Sequence, residues 1–491
     1  MSVSFNGIPN DLRVPLVAIE FDNSAAVQGT PALGWKVLLI GQRDVSGTVP
    51  ASQAVRVTKA SQAEQFFGRS SMLASMFRHA KAANSYLETW AIALDDTPAG
   101  QAASMDLAVT AAATGAGTLY FLVAGEQVLV GVADGDDEAT IAATIAAAIN
   151  ANDRLPVTAA VDANDSKIVK LTCRWKGLTG NDIDVRLNYY SGETTPPGVA
   201  LTIGAMTGGT ANPDVVDAIA AFGSEWWNSI IMPYTDTANM NALEAEMIVR
   251  WGPMKMVDSL TFSAFRGTHA ETGTYGNSRN GFLMSCMGTN VAPQPAYIWA
   301  SVYGLVASQS LSSDPARPLQ TLVLPGILPA EKSVRWDTQE NNLLLHDGIA
   351  THWVGPGDVV QIQREITTYQ EDAFGNADPS YLDINTPATL SYIRYATTTR
   401  IQLLFPRHKL AADGTRFSPG QAIVTPSIIR TQLLALFTEL ELKGLVENFQ
   451  QYRDTLIVQI NPDNPNRVDV LGHPNLVNQF RLFAMKVQFI L

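Results

Sequence analysis

The sequence predicts an α/β core, layered and built on a mostly parallel sheet, with an inserted β-rich domain, a C-terminal α+β domain and extended strand arms at both ends. Three observations predict it. Over residues 31–94 and again over 218–370, short apolar strand patterns alternate with helical ones, the rhythm of successive βα units. Residues 95–217 break that rhythm with Ala, Gly, Thr and short strand patterns. Both ends of the chain show an apolar period of two, which marks a strand with one buried face.

In order, residues 1–30 read as an extended arm. Val17, Ile19 and Phe21 alternate with Glu20 and Asp22, and Pro9 and Pro15 oppose helix. From "WKVLLIG", strands and helices alternate: "ASQAEQFFG" and "SMLASMFRHAKAA" as helices, "LETWAIAL" as a strand. Within 95–217, "TLYFLVAG", "SKIVKLTCRW" and "DIDVRLNYY" read as strands around one Ala-rich helix near 138–151, with "TPPG" and "MTGGTANP" at the exit. The rhythm resumes with "WNSIIMPYTD", the helix "TANMNALEAEMIVRWG", the strand "SLTFSAF" and the helix "AYIWASVYGLVASQS". A last α+β domain over 371–478 holds helices around "TLSYIRYATTTRIQLLF" and "PSIIRTQLLALFTELELKGLVENF", with strands "DTLIVQI" and "RVDVLG". In the second helix Leu433, Leu436, Phe437 and Leu440 form an apolar stripe, and Gly444 is placed to stop or bend it. The arm 479–491 ends the chain, with Phe483, Met485, Val487, Phe489 and Leu491 on one face. An unpaired apolar strand is an aggregation hazard, so this arm needs a partner.

Composition narrows the function. A formal charge of −13 opposes a nucleic-acid partner, because phosphate contacts need clustered Lys and Arg. The acidity is uneven: residues 95–217 hold six basic against sixteen acidic residues, whereas 371–491 hold eleven of each. Cys173 and Cys286, the only cysteines, are too few and too far apart for a disulfide framework or a zinc site. The start lacks a basic, apolar leader and the longest weakly polar run is too short to span a bilayer, so the expectation is an intracellular product with no membrane insertion.

Candidate chemistry is set aside on the same grounds. "RGTHAETGT" and "GTNVAPQP" imitate the histidine and nucleophile motifs of subtilisin-type proteases, but Asn290 stands where the serine must be, and an amide is no nucleophile. The six histidines are scattered, and His346 and His352 are wrongly spaced for one helical face. "GAGT" at 115–118 lacks the rest of a dinucleotide fingerprint. "DGDDEAT" at 134–140 suits a helix cap rather than a Ca²⁺ loop. Trp226, Trp227, Trp251, Trp299, Trp336 and Trp353 sit in apolar patterns typical of core. No cofactor, metal or catalytic residue is expected, and we read the chain as a non-enzyme.

Several phrases, in order, resemble one family: the tail sheath proteins of contractile-tailed phages, in their Mu-type branch. They are "RVPLVAIEFDNS", "IIMPYTDTANMNALEAEM", "DPARPLQTLVLPGI", "ENNLLLHDGIATHWV", "ITTYQEDAFGNADPSYLDINTPATLSYIR", "FPRHKLAADGT", "GLVENF", "NPNRVDVL" and "NLVNQFRLFAMKVQFIL". Together they cover most of 1–94 and 213–491, and the match is weakest over 95–217.

The resemblance implies a structural subunit that polymerises as stacked rings around a tail tube and contracts from a metastable extended state to drive the tube through a target envelope. It also implies a core of subtilisin-like fold without catalytic residues, and terminal arms that add strands to neighbours. Val17, Ile19, Phe21, Phe483, Met485, Val487, Phe489 and Leu491 would be the inter-subunit strand residues. The implied partners are further copies of the chain, the tail tube protein, and baseplate and tail terminator proteins. The implied location is the virion tail, assembled in the host cytoplasm. A headless contractile bacteriocin is the alternative setting, and an α/β hydrolase the alternative class. Because the C-terminal domain of the family lies beside the tube, Arg430, Glu441 and Lys443 are candidate tube contacts.

Overall fold

The computed structural model describes Val14, Thr30, Pro31 and residues 33–418 and 420–490. The predicted N-terminal strand residues Val17, Ile19 and Phe21, and Leu491 at the other end, lie outside the described residues. The chain divides into two units, one formed by Gly34–Ser391 with the segment from Asn478 onward, the other containing Tyr392–Val477.

The first unit opens with β1 (Lys36–Gln42), β2 (Ala54–Val57), α1 (Ala60–Phe67), α2 (Met72–Ala83) and β3 (Glu88–Leu94). The insert follows: β4 (Ser104–Ala111), β5 (Gly117–Val123), β6 (Glu126–Val132), α3 (Glu138–Ala151), β7 (Val157–Val161), β8 (Ile168–Cys173), β9 (Val185–Leu187) and β10 (Ala200–Ile203). The core resumes with α4 (Val216–Ala220), β11 (Ser229–Ile231), α5 (Thr237–Trp251), β12 (Leu260–Phe265), α6 (His269–Asn277), β13 (Met284–Gly288) and α7 (Ala296–Ser313). Then come α8 (Thr338–His346), β14 (Thr351–Gly355) and β15 (Val359–Arg364), and α9 (Asn385–Leu404) leads from this unit into the next.

The central sheet has the order β13-β12-β11-β1-β3-β2. Every pairing is parallel except that of β2 with β3. A parallel sheet is covered on both faces, which is why Val37, Leu38, Leu39 and Ile40 are all fully buried in succession rather than alternately. α7 is apolar on every side because it packs among β11, β12 and α2. At Gly304 the helix comes so close to the sheet that any Cβ would collide with Ile231 and Phe262. Some polar groups inside are paired: the Ser308 and Ser229 hydroxyls lie 2.7 Å apart, as do Ser285 and the Tyr303 hydroxyl.

The insert holds a four-stranded antiparallel sheet, β10-β4-β8-β7, and a three-stranded one, β6-β5-β9. The acid run caps α3, with the Asp137 carboxylate accepting from Thr140 N at 2.8 Å. Despite its charge, the insert shares one continuous apolar core with the central sheet. Trp175 meets Tyr297 edge-on at 5.8 Å, and Asp184 holds both Arg186 and, at 3.1 Å, Arg266.

The second unit holds the end of α9, then β16 (Lys409–Leu410), β17 (Ile423–Val424), α10 (Pro426–Leu442), β18 (Val446–Glu447), α11 (Phe449–Thr455), β19 (Ile457–Ile460), β20 (Val468–Leu471) and β21 (Asn475–Leu476). Leu433, Leu436, Phe437 and Leu440 face inward as their spacing predicts. The predicted helix is shorter than its sequence pattern. It ends at Leu442 because Gly444 adopts φ 71°, and a new short helix starts after β18. Phe437 stacks on Tyr452 of that helix at 4.2 Å.

Candidate assembly site

The predicted C-terminal arm divides into a bound root and a bare tip. Gln479 donates to the Ala316 carbonyl at 2.9 Å, and Gln320 donates to the Phe480 carbonyl at 3.4 Å. Arg481 is the anchor. Its guanidinium pairs with Glu365, whose side chain is fully buried, and with Asp383 at 3.0 Å. Glu365 also accepts from Leu319 N at 3.0 Å, so its position is set before the arm arrives.

Beyond Arg481 the support stops. Among the described residues, no strand pairs with 482–490. Phe483 is 72% exposed and Phe489 79%, with Met485 and Val487 similarly open. The sequence pattern predicts a strand here, whereas residues 482–490 form no ladder with any described strand and their apolar side chains stay exposed. Sequence reasoning missed Arg481, although a single Arg between Phe480 and Leu482 is the kind of charge that needs a buried partner.

In the second unit, β19 and β20 pair only with each other among the described residues, with Ile457 opposite Leu471. Each strand therefore keeps one outer edge, and Ile457, Val470 and Leu471 are half exposed. The three candidate tube contacts are not equivalent. Arg430 is folded back on the Leu456 and Arg453 carbonyls. Glu441 accepts from Phe449 N at 3.4 Å. Lys443 is exposed, with its ammonium 5.1 Å from the Tyr392 ring and hydrogen-bonded to its hydroxyl.

The protease-like fragments have ordinary structural roles. The Asn290 amide is held on both sides, donating to the Val334 carbonyl and accepting from Val291 N. The His269 ring nitrogen Nε2 donates to the Glu340 carbonyl at 2.9 Å. Among the described residues no group of three His, Cys, Asp or Glu side chains could hold a metal ion. None of the described helices is long and apolar enough to cross a membrane.

Three family descriptions match in succession: the phage tail sheath protein β-sandwich domain over residues 97–204, the phage tail sheath protein central domain over 208–368, and the phage tail sheath C-terminal domain over 376–490. The Mu-like prophage FluMu tail sheath protein of Haemophilus influenzae is 51% identical over 491 residues, covering 100% of both chains. The chain belongs to the phage tail sheath proteins. Sheath proteins also stand among the similar solved structures. That of Listeria innocua is 14% identical, covering 91% of this chain and 93% of its own at a TM-score of 0.49. That of Desulfitobacterium hafniense is 12% identical, covering 94% and 100% at 0.46. As a Mu-type tail sheath protein, the chain is a structural subunit of a contractile tail, a component of the virion. The β-sandwich match falls inside the predicted insert, and the C-terminal match runs through the arm.

Proposed function

We propose that the subunit polymerises by strand donation into stacked rings around a tail tube, and that contraction to a more extensively packed state drives the tube through an envelope. The observation that carries this reading is the bare apolar arm beyond Arg481, rooted at one end and, among the described residues, without a paired strand. Paired with an open edge such as β19 or β20 of another copy, the arm would satisfy its backbone groups and bury alternate side chains. About five ladder bonds at roughly 1 kcal/mol net each give on the order of 5 kcal/mol. Burying Phe483, Met485, Val487 and Phe489 adds about 1.5–3 kcal/mol apiece before ordering costs. Such an arm tethers neighbours at high effective concentration while rigid cores slide.

On this reading Val17, Ile19 and Phe21 form the second donated strand, residues 95–217 form an outward protrusion, and the 371–478 domain carries assembly with Lys443 and its neighbours toward the tube. The core acts as a subtilisin-like scaffold with no catalysis, because Asn290 replaces a nucleophile. The partners are other copies, the tube, baseplate and terminator proteins, with assembly in the host cytoplasm before the tail is released. Negative-stain electron microscopy of the purified protein tests this. Long tubes or stacked rings are expected, and monodisperse monomers whose solubility ignores the arm would overturn it.

A further inference from the structure

A cavity of about 280 Å³ opens beside β14, between the start of α8 and the loop after β13. Its volume suits one amino-acid side chain or a small organic ion. What sets it apart is a pair of buried amide oxygens that lack a hydrogen-bond donor. Asn341 is 5% exposed and its Oδ1 has no hydrogen-bond partner among the described residues, nor has the buried Gln363 Oε1. His352 lies 3.0 Å from the Gly288 carbonyl through Nδ1. A carbonyl can only accept, so Nδ1 carries the proton and Nε2 keeps its lone pair. Burial pushes the His352 pKa down to about 4, which keeps that lone pair available at neutral pH.

Two of the donor groups in the lining are already engaged. The Asn290 amide is used on both sides. Arg335 is occupied by the Ala330 carbonyl at 2.8 Å and by Asp358 at 2.9 Å. The Asp337 carboxylate, whose Oδ1 caps α8 by accepting from Gln339 N and Glu340 N, also lines the cavity, as do the indoles of Trp336 and Trp353. Buried acceptors without donors cost free energy until a donor arrives. An indole face beside acceptors and a carboxylate favours a planar cation rich in N–H groups over an anion.

We propose that this cavity is a receptor for a guanidinium group, bound by the Asn341 and Gln363 oxygens and the Asp337 carboxylate against the tryptophan rings. The guanidinium comes either from an arginine of a second copy of this chain or from a free small cation. This goes beyond strand donation and fails or stands independently of it.

Calorimetric titration of the soluble full-length chain with N-acetylarginine amide is the test, with the neutral isostere N-acetylcitrulline amide as control. Saturable binding is expected, at least about tenfold tighter than the citrulline compound. Asn341→Leu should weaken it by about tenfold or more, and Asn341→Asp should tighten it. If Asn341→Leu fails to fold, Gln363→Leu at the partly open wall gives the same reading. Equal affinity for both compounds, or binding unmoved by these changes, would overturn the proposal. The polymer distinguishes the source: arginine from a neighbour would block the probe in assembled material, whereas a free-cation site would still bind it.

Discussion

Arg481 grips Glu365 through both arms of its guanidinium, Nη1 reaching Oε2 at 3.2 Å and Nη2 reaching Oε1. Because Glu365 is wholly buried, removing its partner strands a charge. Arg481→Ala is therefore expected to cost about 3–5 kcal/mol in urea unfolding of the unpolymerised chain. Arg481→Ala combined with Glu365→Gln should recover much of that. A single-variant loss below about 1 kcal/mol would show the pair to be solvated rather than anchoring.

The root and tip of the arm should separate in truncation. A chain ending at Leu482 keeps Arg481, so its unfolding midpoint should equal that of the full protein while polymerisation is lost. A chain ending at Asn478 should lose both, since the anchor goes too. Normal-length polymers from the chain ending at Leu482 would remove strand donation by this arm.

Charge reversal on α10 and its cap tests the proposed tube contact. Glu441→Lys with Lys443→Glu breaks only a long hydrogen bond to Phe449 N and an exposed contact with Tyr392. The stability cost should stay under about 1 kcal/mol for each exposed contact. Assembly on tubes should fall while tube-free polymers persist. Equal loss of both products would indicate misfolding, and loss of neither would make this face ordinary solvated surface.

Acid should reveal His352. Burial first, and the nearby Arg335 charge, lower its pKa to about 4 in the fold, against the ordinary 6.5. The unfolded chain thus binds the proton more readily, so stability is full above pH 6.5 and declines as pH falls toward 4. The loss is up to about 3 kcal/mol. Asp182 acts in the opposite sense, since burial raises its pKa to about 7, so protonation favours the fold as pH falls. The difference between wild type and His352→Gln isolates the histidine. An identical pH dependence for both would refute its neutral burial.

The alternating core was legible because strands such as "VLLIG" and helices such as α5 carry strong periodicity, and the α3 cap was legible from its acids. α6 and α8 escaped notice because "HAETGTYGN" and "TQENNLLLH" have weak apolar stripes. Both carry a readable signal nonetheless: Thr268 with Glu271, and Asp337 with Glu340, form capping boxes. The apolar tip of the arm could be read from its period of two. Its root could not, because Glu365 and Arg481 are 116 residues apart and only the tertiary fold joins them. The union of the insert and the core was hidden in the same way, since Trp175 and Asp184 gave no local hint of Tyr297 and Arg266.

The two thiols are chemically quiet. Cys173 and Cys286 are buried, and burial pushes each pKa up to about 12. Almost no thiolate exists at neutral pH, so neither sulfur attacks a disulfide or an oxidant at a useful rate. Neither thiol of this subunit therefore welds it to a neighbour by a disulfide at a useful rate. Storage in air should leave the contacts between subunits free of such cross-links.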